Sequence, residues 1–154
     1  MIDQHVTVDG DSDYTYDADA QITEADHTFQ TDETFSYDLT GNRTNTGYST
    51  GTGNQLLSDG TYDYEYDAEG NRTKRTTVST SAFVEYAWDH RNLLTKVTFK
   101  TSGGTKTKEI QYVYDVNDQR IGKLLDSNGD GTIDAEWWYA CDSMVKGKLS
   151  DIVL

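Results

Sequence analysis

The chain contains no proline and a single cysteine, Cys141. No proline-rich linker is present, and one cysteine rules out an internal disulfide while leaving the redox compartment open. No apolar run approaches the roughly 20 residues of a membrane-spanning helix. The opening MIDQHVTVDGDSD has neither the basic stretch nor the apolar segment of a signal peptide. Aliphatic residues are scarce. Leu, Ile, Val and Phe supply 28 of 154 residues, which with a formal net charge of −14 falls on the side of disordered chains. Bases are nearly missing from the first part: residues 1–70 hold sixteen acids and one base, Arg43, whereas residues 71–154 hold eleven acids and twelve bases. Such a balance repels phosphate backbones and anionic bilayers and argues against nucleic acid as a partner.

What is abundant is aromatic: eleven tyrosines and three tryptophans, each able to bury a ring while keeping a polar tip in water. If the chain folds, tyrosine is expected to supply much of its core. These rings are also periodic. An aromatic, any residue, an aromatic and then Asp recurs as YTYDADAQIT (14–23), FSYDLTGNRT (35–44), YEYDAEGNRT (64–73), YAWDHRNLLT (86–95) and YVYDVNDQRI (112–121), with a degraded YACD at 139–142. The copies start 21 to 29 residues apart, the length of one hairpin and its connection. In a strand, Tyr62, Tyr64 and Tyr66 share one face and Asp63, Glu65 and Asp67 the other. Asp67-Ala68-Glu69-Gly70 then reads as a turn. The Asp side chain accepts a backbone N–H, and Gly70 takes a positive φ. Gly41, Asn92 and Asp118 suit that last position; Ala20 does not, so the first turn is expected to be the poorest. Further turns fall at Asp59-Gly60, Ser102-Gly103-Gly104 and residues 128–131. The expected fold is all-β, successive antiparallel hairpins in an open curved sheet. Residues 1–13 form a loose leading segment, 14–142 the repeat sheet and 143–154 a short tail; residues 46–53 are also expected to be loose.

The pattern Y-x-Y-D-x-x-G-N-R, clearest in residues 64–73 and 35–44, resembles the YD repeat of bacterial Rhs proteins, of teneurins and of the cocoon subunits of insecticidal toxin complexes. The resemblance covers residues 14–142. It implies a partial YD-repeat shell and a structural role for the repeat residues, with no catalysis by them. It also implies flanking repeats or self-association as partners, a toxin cargo as a further one, and a secreted or cell-surface location. The proline-bearing segment that ends Rhs cores is missing, so the resemblance points to a piece of shell rather than to a toxin carrier. An open sheet with no caps is expected to be marginally stable or to self-associate.

One motif lies outside the repeat. DSNGDGTIDAEW, residues 126–137, has the oxygen spacing of a calcium loop, with Asp126, Asn128, Asp130, Thr132, Asp134 and Glu136 as candidate ligands. The twelfth position, where a bidentate carboxylate belongs, is Trp137, so a plain Asx- and Gly-rich turn is the competing reading. Trp137 and Trp138 alternate faces, which makes them candidate stacking platforms for a surface glycan or, alternatively, packing residues. Arg72, Lys74 and Arg75 form a small basic cluster, expected either to meet an acidic glycan or to pair with carboxylates. The repeat aspartates Asp17, Asp38, Asp67, Asp89 and Asp115 are explained together by turn chemistry, and no nucleophile–base pair is apparent. His5, His27 and His90 lack ligand spacing. Structural scaffold is the leading reading. A glycan- or protein-binding module using calcium is the alternative.

Overall fold

The computed structural model describes residues 2–7 and 10–139, and for 2–7 the backbone path alone. The chain is all-β, and among the described residues there is no α-helix, only one turn of 3-10 helix at Thr52–Asn54. Contacts divide it into two units, residues 1–60 and residues 61–154. That division falls inside the stretch 14–142 read above as one repeat segment.

The first unit holds β1 (Ile2–Thr7), β2 (Gly10–Tyr16), β3 (Ile22–His27) and β4 (Glu33–Thr34), an antiparallel sheet in that order. It also holds the hairpin of β5 (Tyr48–Thr50) and β6 (Leu56–Asp59). Two expectations fail here. Of residues 1–13, expected to be loose, residues 2–7 and 10–13 lie in paired strands: β1 pairs along its length with β2, from Ile2 opposite Thr15 to Thr7 opposite Gly10. Residues 46–53 contain β5 and begin the 3-10 turn. Both segments are rich in polar and small residues, and it is pairing with a neighbour, not their own hydrophobicity, that orders them.

The second unit is an antiparallel meander of β7 (Tyr62–Tyr66), β8 (Arg72–Thr77), β9 (Phe83–Trp88), β10 (Leu94–Lys100), β11 (Lys106–Tyr114), β12 (Arg120–Asp126) and β13 (Ala135–Trp138). Each strand pairs with the next and the sheet does not close. Register sorts the side chains. Tyr64 lies opposite Arg75, Arg75 opposite Val84, Val84 opposite Phe99 and Phe99 opposite Lys108. A parallel row runs Tyr86, Val97, Ile110, Leu125, Ala135. These rows make the aromatic face. On the other face Glu65, Lys74, Glu85, Thr98, Glu109 and Asp126 are successive cross-strand partners.

Tyrosine does not build the buried core that its abundance suggests. Ala25, Val84 and Val97 are the buried hydrophobic residues, at 3, 8 and 7% exposure, while the tyrosines of β7, β9 and β11 are half-buried. A Val in the middle of the aromatic face is covered by the rings around it, and the rings keep an edge in water. Cys141, most of the degraded sixth copy and the tail 143–154 lie outside the described residues.

Candidate functional site

The five repeat aspartates are built identically. In each, the Asp N–H donates to the carbonyl four residues on (Gln21, Asn42, Asn71, Leu93, Gln119) at 2.9–3.0 Å. The carboxylate of the same Asp accepts that residue's N–H at 2.8–3.0 Å. The residue three on donates its N–H to the Asp carbonyl and stands at positive φ: Ala20 63°, Gly41 85°, Gly70 88°, Asn92 59°, Asp118 64°. The strand register slips by one beside the turn, at Tyr16, Tyr66, Leu94 and Tyr114. This is a hairpin turn closed by a bulge. The expectation of a poorly formed first turn is overturned. Ala20 occupies the left-handed region and every bond is made, because the Asp17 carboxylate holds the N–H groups of both Asp19 and Gln21. Charged acceptors on backbone N–H groups are stronger than neutral ones. The same bonds stabilise the ionised carboxylate: the Asn42 N–H foremost holds the Asp38 pKa far below its ordinary value, and the Leu93 N–H lowers that of Asp89. Carboxylates used this way are poor general bases.

The other motif residues also have structural work. Asn71 Nδ2 donates to Asp67 Oδ2 at 3.1 Å and to Asn92 Oδ1 of the next turn at 2.8 Å. Arg91 pairs with Asp89 in its own turn, at 3.2 Å, and with Asp118 in the following one. Adjacent turns are thereby cross-linked. The motif arginines lie on rings: Arg43 over Phe35 at 4.1 Å, Arg72 over Tyr64 at 4.3 Å and Arg120 over Tyr112 at 5.1 Å. Of the basic cluster, only Lys74 meets a carboxylate, Glu65 at 3.0 Å; Arg75 lies over Tyr62 at 4.4 Å. Sequence reasoning missed this stacking, although the spacing from the first aromatic to the Arg, eight residues in each of these three copies, was its visible signal.

Of the six candidate calcium ligands, Asp126 ends β12, Asn128, Asp130, Thr132 and Asp134 lie in the loop that follows and Glu136 lies on β13, and their carboxylates are engaged by N–H groups. Asp126 is 1% exposed. Its carboxylate accepts from Lys106 Nζ at 2.9 Å, Gly129 N at 2.6 Å and Gly131 N at 2.9 Å. These contacts, Lys106 first, hold its pKa at about 2, and the same bond raises that of Lys106. Asn128 and Asp130 bond each other, and Asp130 also accepts the Thr132 N–H, which lowers its pKa. Asp134 accepts both the N–H and the hydroxyl of Ser127. Glu136 accepts Trp138 Nε1 at 3.0 Å. Among the described residues no group of three or more His, Cys, Asp or Glu side chains is placed to hold a metal. In this arrangement Lys106 Nζ supplies the positive charge at the Asp126 carboxylate, and a cation bound there would have to displace it.

The two tryptophans fall on opposite faces. Trp137 lies under Lys123 Nζ at 5.0 Å. Trp138 covers Gly122, where an added Cβ would stand 2.8 Å from the indole. Of the histidines, His27 Nδ1 bonds Ser12 Oγ at 2.8 Å and His27 Nε2 lies 3.7 Å from Glu33. This Ser–His–acid string resembles a hydrolase set, but Ser12, in β2, is buried at 5% exposure. No helix among the described residues is long and apolar enough to cross a membrane.

The family model of the teneurin YD-shell matches residues 4–133. Solved structures similar to the chain include the crystal structures of TcdB2-TccC3-TEV, TcdB2-TccC3-Cdc42 and TcdB2-TccC3, each with 17% identity and a TM-score of 0.48. The first match covers 79% of this chain and the other two 78%, and in all three the chain spans only 6% of the length of the chain it matches. Among curated protein sequences none matches. With a repeated Y-x-Y-D turn, stacked arginines and a family match over most of its length, the chain belongs to the teneurin YD-shell family.

Proposed function

We propose that this chain is a structural segment of a YD-repeat shell or surface scaffold, with no catalysis of its own and with neighbouring repeats as its partners. One observation carries the reading: all five motif carboxylates are bound to the N–H groups of their own turns, while Asn71 and Arg91 reach the next turn and Arg43, Arg72 and Arg120 lie over aromatic rings. The recurring chemistry of the repeat thus serves its geometry. A secreted or cell-surface location accompanies the reading as part of it. The test is a truncation series. Chains ending after residue 139, after 114 and after 100 are melted under one condition. If each hairpin supports its neighbour, the melting temperature falls step by step, as in other repeat arrays. Three equal melting temperatures would refute the scaffold reading, because the hairpins would then be independent.

A further inference from the structure

Two surfaces of the molecule carry charge that nothing in their own unit answers. On the aromatic face of the second unit, the strand positions of β7–β13 hold Arg72, Arg75, Lys108, Arg120 and Lys123 and no carboxylate. Each of the five lies over a ring, at 4.3, 4.4, 5.4, 5.1 and 5.0 Å, and none forms a salt bridge. The Nε atoms of Arg72 and Arg75 are buried without a hydrogen-bond partner. The opposite face of the same sheet is different: there Lys74, Lys100 and Lys106 are paired with Glu65, Glu85, Glu109 and Asp126. In the first unit, residues 1–60 contain twelve acids against one base. Asp13 and Asp26 are direct cross-strand partners on β2 and β3; both are exposed, as is Glu24 beside them, and none has an ion pair among the residues whose side chains are described. Like charges set opposite each other destabilise a sheet unless a cation covers them.

We infer that these two faces recognise each other between copies of the chain: the Asp13–Glu24–Asp26 face of one copy docks on the cationic aromatic face of the second unit of another. The contact joins two different faces of the chain, the acidic face of the first unit and the cationic face of the second. Cations parked on rings and carboxylates facing one another are both left incomplete in the single chain, and the contact completes both. Its attraction is electrostatic and falls with salt.

The test is sedimentation velocity of the full chain at low salt, about 0.01 M, and at about 1 M, where screening acts within about 3 Å. Concentration-dependent association at low salt that is lost at high salt is expected; a monomer at every concentration in low salt overturns the proposal. Two charge-reversed chains, D13K/D26K and K108E/K123E, should each lose self-association when alone and associate with each other when mixed. A mixture that stays monomeric overturns the proposal. Because a reversed chain can fail to fold, D13N/D26N provides the second arm. It removes the like-charge pair, so its melting temperature should not drop, while its association weakens at least tenfold. Unchanged association of D13N/D26N also overturns the proposal.

Discussion

The turn account makes a sharp statement about two residues at the same place in successive copies. Ala20 and Gly41 both stand three residues after the turn Asp and both have positive φ, 63° and 85°. They lie in the same unit, and at Gly41 a Cβ would meet only Gln21 Nε2 at 3.8 Å, an ordinary contact. Exchanging Ala and Gly therefore changes backbone preference and little else. An L-residue in the left-handed region costs about 1–2 kcal/mol, and glycine loses about 0.5–1 kcal/mol more backbone freedom on folding than alanine. The difference favours glycine by about 0.5–1 kcal/mol at both positions. Ala20→Gly should raise stability by that amount, Gly41→Ala should lower it equally, and the double exchange should return close to the parent. Urea unfolding followed by far-UV circular dichroism measures all three; the tryptophans, Trp88, Trp137 and Trp138, all lie outside this unit and do not report on it. If Ala20→Gly is neutral or destabilising, the first turn is not the one described, and the shared geometry of the five copies fails with it.

Three further outcomes follow. Gly129→Ala should cost about 2–4 kcal/mol, since φ is 83° and the new Cβ would lie 2.4 Å from the Lys106 carbonyl oxygen, so backbone must move; a parental urea midpoint would contradict the loop. Asp126, Asp38, Asp89 and Asp130 titrate below the ordinary value of 3.8 when folded, Asp126 at about 2. The folded-state values are the lowered ones, so the stability that Asp126 contributes is complete above about pH 4 and is lost as pH falls through about 2. Asp126→Asn should flatten the acid limb of the stability–pH curve, and an unaltered slope would remove Asp126 from the account. Calorimetric titration with calcium to the millimolar range should give no saturable heat with the folded chain, because a cation would have to displace Lys106 from Asp126 at 2.9 Å; a saturable isotherm would restore the calcium reading.

The repeat was legible because its physics is local. An Asp that caps its own turn, a positive-φ residue three places on and alternating tyrosines all act within ten residues of sequence, and the structure shows them at Asp67, Gly70 and Tyr62 to Tyr66. What could not be read depends on partners far along the chain. β1 is ordered by pairing with β2, and neither polar segment announces the other. Asp126 is held by Lys106, twenty residues away. Trp138 finds its place over Gly122, sixteen residues earlier, where the missing side chain leaves the space the indole fills. The arginines were legible as a repeat but not as stacking groups, since charge counting pairs them with the many carboxylates. Register puts those carboxylates on the opposite face. The first turn was misjudged because alanine's backbone preference, worth about 1–2 kcal/mol, was weighed without the charge-assisted bonds that outweigh it.

The central claim is that five hairpins are each bent back by a carboxylate bound to the amide four residues ahead. A pH titration of amide proton shifts by two-dimensional NMR tests it directly, reading Gln21, Asn42, Asn71, Leu93 and Gln119. All five resonances should lie far downfield while their acceptors are charged and move upfield once acid removes that charge, Asn42 and Leu93 only below the ordinary carboxylate value. Five amides that stay still, or that exchange with water as fast as those of an unfolded chain, would show that the aspartates do not make these turns.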